Sequence, residues 1–232
     1  IDLASSEIRK CTITTGKLRL DSGEPALAAG EDVNGDGHPD LLFTSGGEEA
    51  AGGPSVILLL GGTSLPQAIE GEKIGEQAPG SYIVDFTPKD PKAITGEIIA
   101  LSPDINGDGL GELLVAETAG VFGRQKFFVI FGSASLPRFL DLSEVGGGIA
   151  GITVENDGPD GARGFKAAAG LGDIDGDGLG DLGFVVKNIR HDPEEGFIDQ
   201  CFILFGREVL PETISLDRLP AGFGLDLRRY GN

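Results

Sequence analysis

Three nine-residue stretches carry side-chain oxygens at alternate positions. They read Asp32-Val33-Asn34-Gly35-Asp36-Gly37-His38-Pro39-Asp40, Asp104-Ile105-Asn106-Gly107-Asp108-Gly109-Leu110-Gly111-Glu112 and Asp173-Ile174-Asp175-Gly176-Asp177-Gly178-Leu179-Gly180-Asp181. In a tight turn, acidic or amide groups at positions one, three and five aim their oxygens inward. Gly37, Gly109 and Gly178 follow position five, where the sharp turn suits a residue without Cβ. Carboxylates gathered this densely repel one another unless a cation neutralises them. The donors are all hard oxygens, which suits calcium: it takes six to eight of them at about 2.3–2.6 Å in an adaptable cage, whereas magnesium keeps its waters and demands an octahedron. The expected side-chain ligands are Asp32, Asn34, Asp36 and Asp40 in loop one. In loop two they are Asp104, Asn106, Asp108 and Glu112, and in loop three Asp173, Asp175, Asp177 and Asp181. The backbone carbonyls of His38, Leu110 and Leu179 would serve at position seven, giving three Ca2+ sites. An ordinary Asn-Gly or Asp-Gly hairpin turn accounts for the dipeptides but not for the convergence of carboxylates. A helix–loop–helix calcium hand needs Glu at position twelve; Phe43, Val115 and Phe184 stand there instead, in apolar runs.

The elements that must position these loops repeat with them, at a period of about 70 residues. Each loop is followed by an apolar run (Leu41 to Phe43, Leu113 to Val115, Leu182 to Val186). Further on comes a run closing on glycine (Val56 to Gly61, Phe127 to Gly132, Phe202 to Gly206). A Leu-Pro pair comes next: Leu65-Pro66, Leu136-Pro137, Leu210-Pro211. These runs are short, rich in Val, Ile and Phe, and bounded by turn residues, which is strand chemistry. No segment shows a sustained, capped helical period. Four strands per repeat are expected, exemplified by Ile98 to Ser102, Leu113 to Ala116, Phe127 to Phe131 and Gly151 to Glu155. The small side chains of Ala26 to Ala29 and Ala167 to Leu171 suit first strands crowded near an axis. The expected fold is all-β and of β-propeller type, with three four-stranded antiparallel blades and calcium-binding hairpin loops. Residues 1–232 form a single repeat domain, with repeats near 16–85, 86–155 and 156–230 and an extra crossing strand near 11–15. The last crossing strand falls at Leu225 to Arg229. Ile1-Asp2-Leu3 echoes Leu140-Asp141-Leu142 and Ser215-Leu216-Asp217. Three repeats are fewer than the usual four to eight blades. The chain is therefore expected to be a fragment of a larger propeller, to pair with itself, or to close as a small ring.

With Gly164-Phe165 before loop three, and Phe131-Gly132 and Phe205-Gly206 closing repeats two and three, the chain resembles the FG-GAP repeats of integrin alpha-subunit propellers and of bacterial surface proteins. The resemblance covers essentially the whole chain. It implies propeller blades, with calcium in the hairpin between the first two strands of each, held by the side chains named above. The Gly-Ala-Pro of the family is absent: Ser45-Gly46-Gly47, Glu117-Thr118-Ala119 and Lys187-Asn188-Ile189 occupy that region. Repeats one and two also lack the Phe-Gly before the loop.

Composition narrows the partners. With 37 acidic and 18 basic residues the net charge is −19. Nucleic acid and anionic membrane surfaces would repel such a chain, and cations would be attracted. No apolar run approaches the roughly 20 residues of a membrane helix. The chain contains no methionine, even at position 1, as expected of a processed or excised segment. Cys11 and Cys201 are expected to be free, buried thiols, with a single bridge as the alternative. His191 belongs to a polar insertion between strands. No nucleophile elbow, zinc cluster or phosphate-binding loop is present, and Gly146-Gly147-Gly148 reads as a connector. The absence of Trp and the presence of only two Tyr weigh against a lectin. The function expected is a non-enzymatic, secreted, extracellular or cell-surface binding or adhesion scaffold. Its partners would be calcium and either a protein or a second copy meeting open blade faces. The alternatives are an accessory or catalytic propeller of a secreted hydrolase or lyase, or a purely structural oligomerising module.

Overall fold

Short apolar runs punctuated by Gly, Pro and Asp satisfy their backbone groups between chains of a sheet rather than within a helix. In the computed structural model, the described residues are 11–14, 26–44, 56–84, 93–119, 125–156, 164–186, 191–192, 196–197 and 199–227. The strands in chain order are β1 (Thr12–Thr14), β2 (Leu27–Ala29), β3 (Leu41–Thr44), β4 (Val56–Leu59), β5 (Ala68–Glu70), β6 (Gly80–Val84), β7 (Ala93–Ser102), β8 (Glu112–Ala119) and β9 (Gln125–Ile130). They continue as β10 (Phe139–Asp141), β11 (Gly151–Glu155), β12 (Phe165–Gly172), β13 (Asp181–Val186), β14 (His191–Asp192), β15 (Gly196–Phe197), β16 (Gln200–Leu204), β17 (Thr213–Ser215) and β18 (Gly224–Leu227). The only helical pieces among the described residues are single 3₁₀ turns at Gly71–Lys73, Leu142–Glu144 and Leu216–Arg218.

The molecule is all-β and built of several sheets, compatible with a β-propeller; among the described residues no sheet closes on itself. Sheet one has the order β10-β6-β4-β3-β2, sheet two β17-β11-β9-β8-β7, and sheet three β12-β13-β16-β18. β1 pairs with β5, and β14 with β15, so His191 lies in a small hairpin. The four main strands of each sheet are antiparallel neighbours in chain order, as the sequence suggests. Sheets one and two differ from the four-stranded expectation. Each gains a fifth, parallel strand from the following repeat: β10 beside β6, with Leu140 opposite Ile83, and β17 beside β11, with Ile214 opposite Val154. β5 makes the same parallel contact with β1, where Ile69 faces Ile13. These straps are three residues long and offer one buried side chain each, too little for a periodic signal. The crossing strands near 11–15 and 225–229 are observed as β1 and β18; residues 15 and 228–229 lie outside the described set, as do Ile1-Asp2-Leu3, Ser45-Gly46-Gly47 and Lys187-Asn188-Ile189.

Side chains of a strand alternate between faces, so sheets one and two each contribute to two cores. Leu113, Val115, Phe128 and Ile130 of sheet two meet Leu42, Val56, Leu58 and Ile83 of sheet one. Leu114, Ala116, Phe127 and Val129 meet Leu182, Phe184, Phe202 and Leu204 of sheet three. Phe127 packs edge-on against Phe165, centroids 4.7 Å apart. Burying each such side chain contributes about 1.5–3 kcal/mol. The first strands are less crowded than their small residues suggest. Leu27 is 70% exposed, and after the buried Phe165 the residues of β12 are exposed or half-buried. Cys11 and Cys201 are free as expected, but exposed rather than buried.

Candidate metal centres

Loop one joins β2 to β3, loop two β7 to β8, and loop three β12 to β13. Each sits at the same end of its hairpin. The first aspartate is wrapped by the backbone that follows. Asp32 accepts from Gly35 N (2.7 Å) and Asp36 N (3.2 Å) through Oδ1 and from Gly37 N (2.7 Å) through Oδ2. Asp104 and Asp173 accept from the corresponding N–H groups of Gly107, Asp108 and Gly109, and of Gly176, Asp177 and Gly178. Gly35 and Gly37 have φ values of 76° and 85°, a left-handed conformation that aims successive N–H groups inward. Burial raises the pKa of Asp32, but the surrounding N–H groups, Gly37 first, hold it below the ordinary carboxylate value.

Positions three and five meet in every loop. Asn34 Nδ2 donates to Asp36 Oδ2 at 3.1 Å, Asn106 Nδ2 to Asp108 Oδ2 at 3.0 Å, and Asp175 Oδ1 accepts from Asp177 N at 3.2 Å. The fifth-position carboxylate accepts from the N–H of residue seven: His38, Leu110 and Leu179, each at 2.9 Å.

Position nine separates loops one and three from loop two. Asp40 is buried and divides its oxygens between Val33 N (2.8 Å) and Gly61 N (2.7 Å). Asp181, fully buried, does the same with Ile174 N (2.7 Å) and Gly206 N (2.9 Å). Each fastens the loop to the glycine two residues past the end of the third strand. Glu112 Oε2 accepts from Ile105 N (3.1 Å) and Ser102 Oγ (3.3 Å), while Oε1 is buried with no hydrogen-bond partner. Burial pushes the Glu112 carboxyl up to about 9, against the hydrogen bonds from Ile105 and Ser102 and reinforced by the charges of Asp104 and Asp108. Burial likewise raises Asp40, opposed by the N–H groups of Gly61 and Val33.

The structure therefore gathers some of the sequence-derived residues and not others. Asp104, Asp108 and Glu112 present oxygens within 4.8 Å of one another, and so do Asp173, Asp175 and Asp177. Among the described residues, loop one forms no such trio: its third position is the amide Asn34, and Asp40 is held on backbone N–H groups. Two of the three loops can thus offer a metal ion a carboxylate cluster as they stand. The donor set contains only oxygen, and the stranded Glu112 Oε1 is an acceptor in need of a cation, so the residues fit a hard divalent ion.

Residues 25–58 match the FG-GAP repeat. The stretch runs from the approach to β2 through loop one and β3 into β4. No curated protein matches the chain. Loops two and three repeat the hydrogen bonds that wrap the first aspartate of loop one, and loop three repeats its position-nine bonds as well.

Sequence reasoning missed how the loops are joined to one another. Gly111 N donates to Asp32 O at 3.0 Å, and Gly180 N to Asp104 O at 2.6 Å. Ser133 N donates to Val33 O and Arg207 N to Ile105 O, both at 2.8 Å. Position seven leans across as well: a Cβ added to Gly35 would lie 2.9 Å from Leu110 Cδ2. The signal in the sequence was the glycine at position eight of loops two and three, set against Pro39 in loop one.

Proposed function

We propose that the protein is a calcium-binding β-propeller repeat protein whose three sheets act as blades, serving as an extracellular or cell-surface binding scaffold. The observation that carries the calcium reading is loop two, where the buried, unpartnered Glu112 Oε1 stands within reach of Asp104 and Asp108. Asp104, Asn106, Asp108, Glu112 and the Leu110 carbonyl would hold the ion there. Asp173, Asp175, Asp177 and Asp181 with the Leu179 carbonyl would do so in loop three, and Asp32, Asn34, Asp36 and Asp40 with the His38 carbonyl in loop one. Bound calcium would supply charge neutralisation and a cross-link across the turn, stiffening the hairpin. The scaffold role is supported by the match to the FG-GAP repeat, a type frequent in extracellular proteins, and by the absence of any membrane-length apolar helix among the described residues. Chelated protein titrated with calcium in a calorimeter should take up three ions, and its melting temperature should rise with calcium concentration. No heat of binding, together with an unchanged melting curve in chelator, would remove the calcium reading.

A further inference from the structure

The hydrogen bonds between neighbouring loops run through the same peptide units that carry the proposed ligands. Gly111 N donates to Asp32 O at 3.0 Å, and the next amide along, Val33 N, donates to Asp40 Oδ2 at 2.8 Å. The Leu110–Gly111 and Asp32–Val33 peptides therefore stand in line between the position-seven carbonyl of loop two and the position-nine carboxylate of loop one. Loops three and two repeat the arrangement. Gly180 N donates to Asp104 O at 2.6 Å, and Ile105 N to Glu112 Oε2 at 3.1 Å. That line ends on a buried carboxyl whose other oxygen has no partner. In a trans peptide the C=O points opposite to the N–H. The Leu110 and Leu179 carbonyls thus face away from the preceding loop, while the N–H groups of their peptides reach into it. The side chains at position seven add a second contact. Leu110 Cδ2 lies 2.9 Å from where a Cβ on Gly35 would stand, and Leu179 Cδ2 3.6 Å from one on Gly107.

We propose that the Leu110–Gly111 and Leu179–Gly180 peptides couple the metal sites, so that calcium in one loop raises the affinity of the loop beside it. The inference rests on the calcium reading of the three loops and adds a dependence of each on its neighbour. An ion held by Leu110 O would fix the peptide whose N–H grips Asp32 O, and with it the start of loop one. Loop one would then be partly ordered before its own ion arrives, which lowers the entropy it must lose. A cation on the carbonyl also polarises the line of hydrogen bonds and strengthens each donor in it. Glycine at the eighth position permits the approach. A Cβ on Gly111 would come within 2.6 Å of Glu31 Cβ, and one on Gly180 within 3.0 Å of Pro103 Cβ. The His38–Pro39 peptide of loop one has no N–H and passes nothing on. Charge acting through space works in the opposite direction. An emptied acidic loop is more negative than a filled one and attracts a neighbouring ion more strongly. The sign of the coupling therefore separates the two effects.

The test disables loops singly and in pairs with Asp36→Asn, Asp108→Asn and Asp177→Asn. Each change removes a ligand charge and keeps an acceptor for the N–H of residue seven. Calcium is titrated into each chelator-treated full-length chain in a calorimeter. Chains that retain neighbouring loops, one and two or two and three, should bind both ions cooperatively. The product of their association constants should exceed that of the matching single-loop chains by at least about fivefold. The chain that retains loops one and three should show no such excess. In the Asp36→Asn chain, calcium should also slow hydrogen exchange at the Gly111 amide, although the loop that accepts its bond holds no ion. Independent binding by neighbouring loops, with the expected number of ions taken up, would overturn the coupling and leave the calcium reading standing. Unchanged exchange at Gly111 would overturn it too. So would an equal excess for loops one and three, by tracing the effect to folding of the whole chain. No uptake by the unaltered chain would remove the calcium reading and the proposal together.

Discussion

Glu112 and Asp181 occupy the same loop position and do different work. Asp181 is short enough to serve two backbone N–H groups, those of Ile174 and Gly206. Glu112 is one methylene longer, reaches Ile105 N with one oxygen and strands the other among acidic neighbours. Removing the carboxylate should therefore have opposite consequences at the two sites. Asp181→Ala leaves the buried Gly206 N–H and the part-buried Ile174 N–H without their acceptor and should cost about 2–4 kcal/mol in urea unfolding even in chelator. Glu112→Gln replaces a carboxyl that burial holds in its neutral form, with a pKa pushed up to about 9, by a neutral side chain of the same shape. It should leave the chelated protein as stable as before, or more so, while calorimetric calcium uptake falls from three ions to two. If Asp181→Ala is neutral in chelator, or Glu112→Gln retains the full uptake, the contrast between the two position-nine side chains is wrong.

Among the elements, the strands that carry the loops were legible because they recur: the runs after each loop and the glycine-closed runs became β3, β8 and β13, and β4, β9 and β16. The loops were legible as oxygen-rich turns, since alternation at positions one, three and five needs no tertiary information. The inter-repeat bonds and the parallel straps were not. They depend on backbone groups that every residue has, and on single buried side chains in three-residue strands. The position-nine staple was hidden for the same reason, its partners Gly61 and Gly206 lying 21 and 25 residues away. A strap should nonetheless matter. Leu140 of β10 is fully buried against sheet one while its neighbour Phe139 is 46% exposed. Leu140→Ala should cost about 2–5 kcal/mol through the cavity it leaves. Phe139→Ala should cost clearly less, losing mainly its stacking on Tyr82 at 5.5 Å. Comparable losses for the two would mean that the strap is held by its surface and not by its buried side chain.

At the scale of the whole molecule, the loops sit in a chain of net charge −19 and are linked in series by the hydrogen bonds from Gly111 and Gly180. Self-repulsion therefore acts on a stack of acidic turns rather than on isolated ones. Exposed charges are screened beyond about 10 Å at 0.1 M salt, which spans neighbouring charges within a loop only weakly but reduces repulsion between more distant groups. Three calcium ions would remove six of the nineteen excess negative charges and would do so where the density is greatest. The calcium-free protein should consequently gain stability as sodium chloride is raised from 0.02 to roughly 0.5 M, a range over which the screening length falls several-fold. With calcium held saturating, the same salt series should move the melting temperature much less. Parallel salt dependences in chelator and in calcium would show that the charge relieved by salt lies elsewhere on the surface, and that the loops are not the seat of the repulsion.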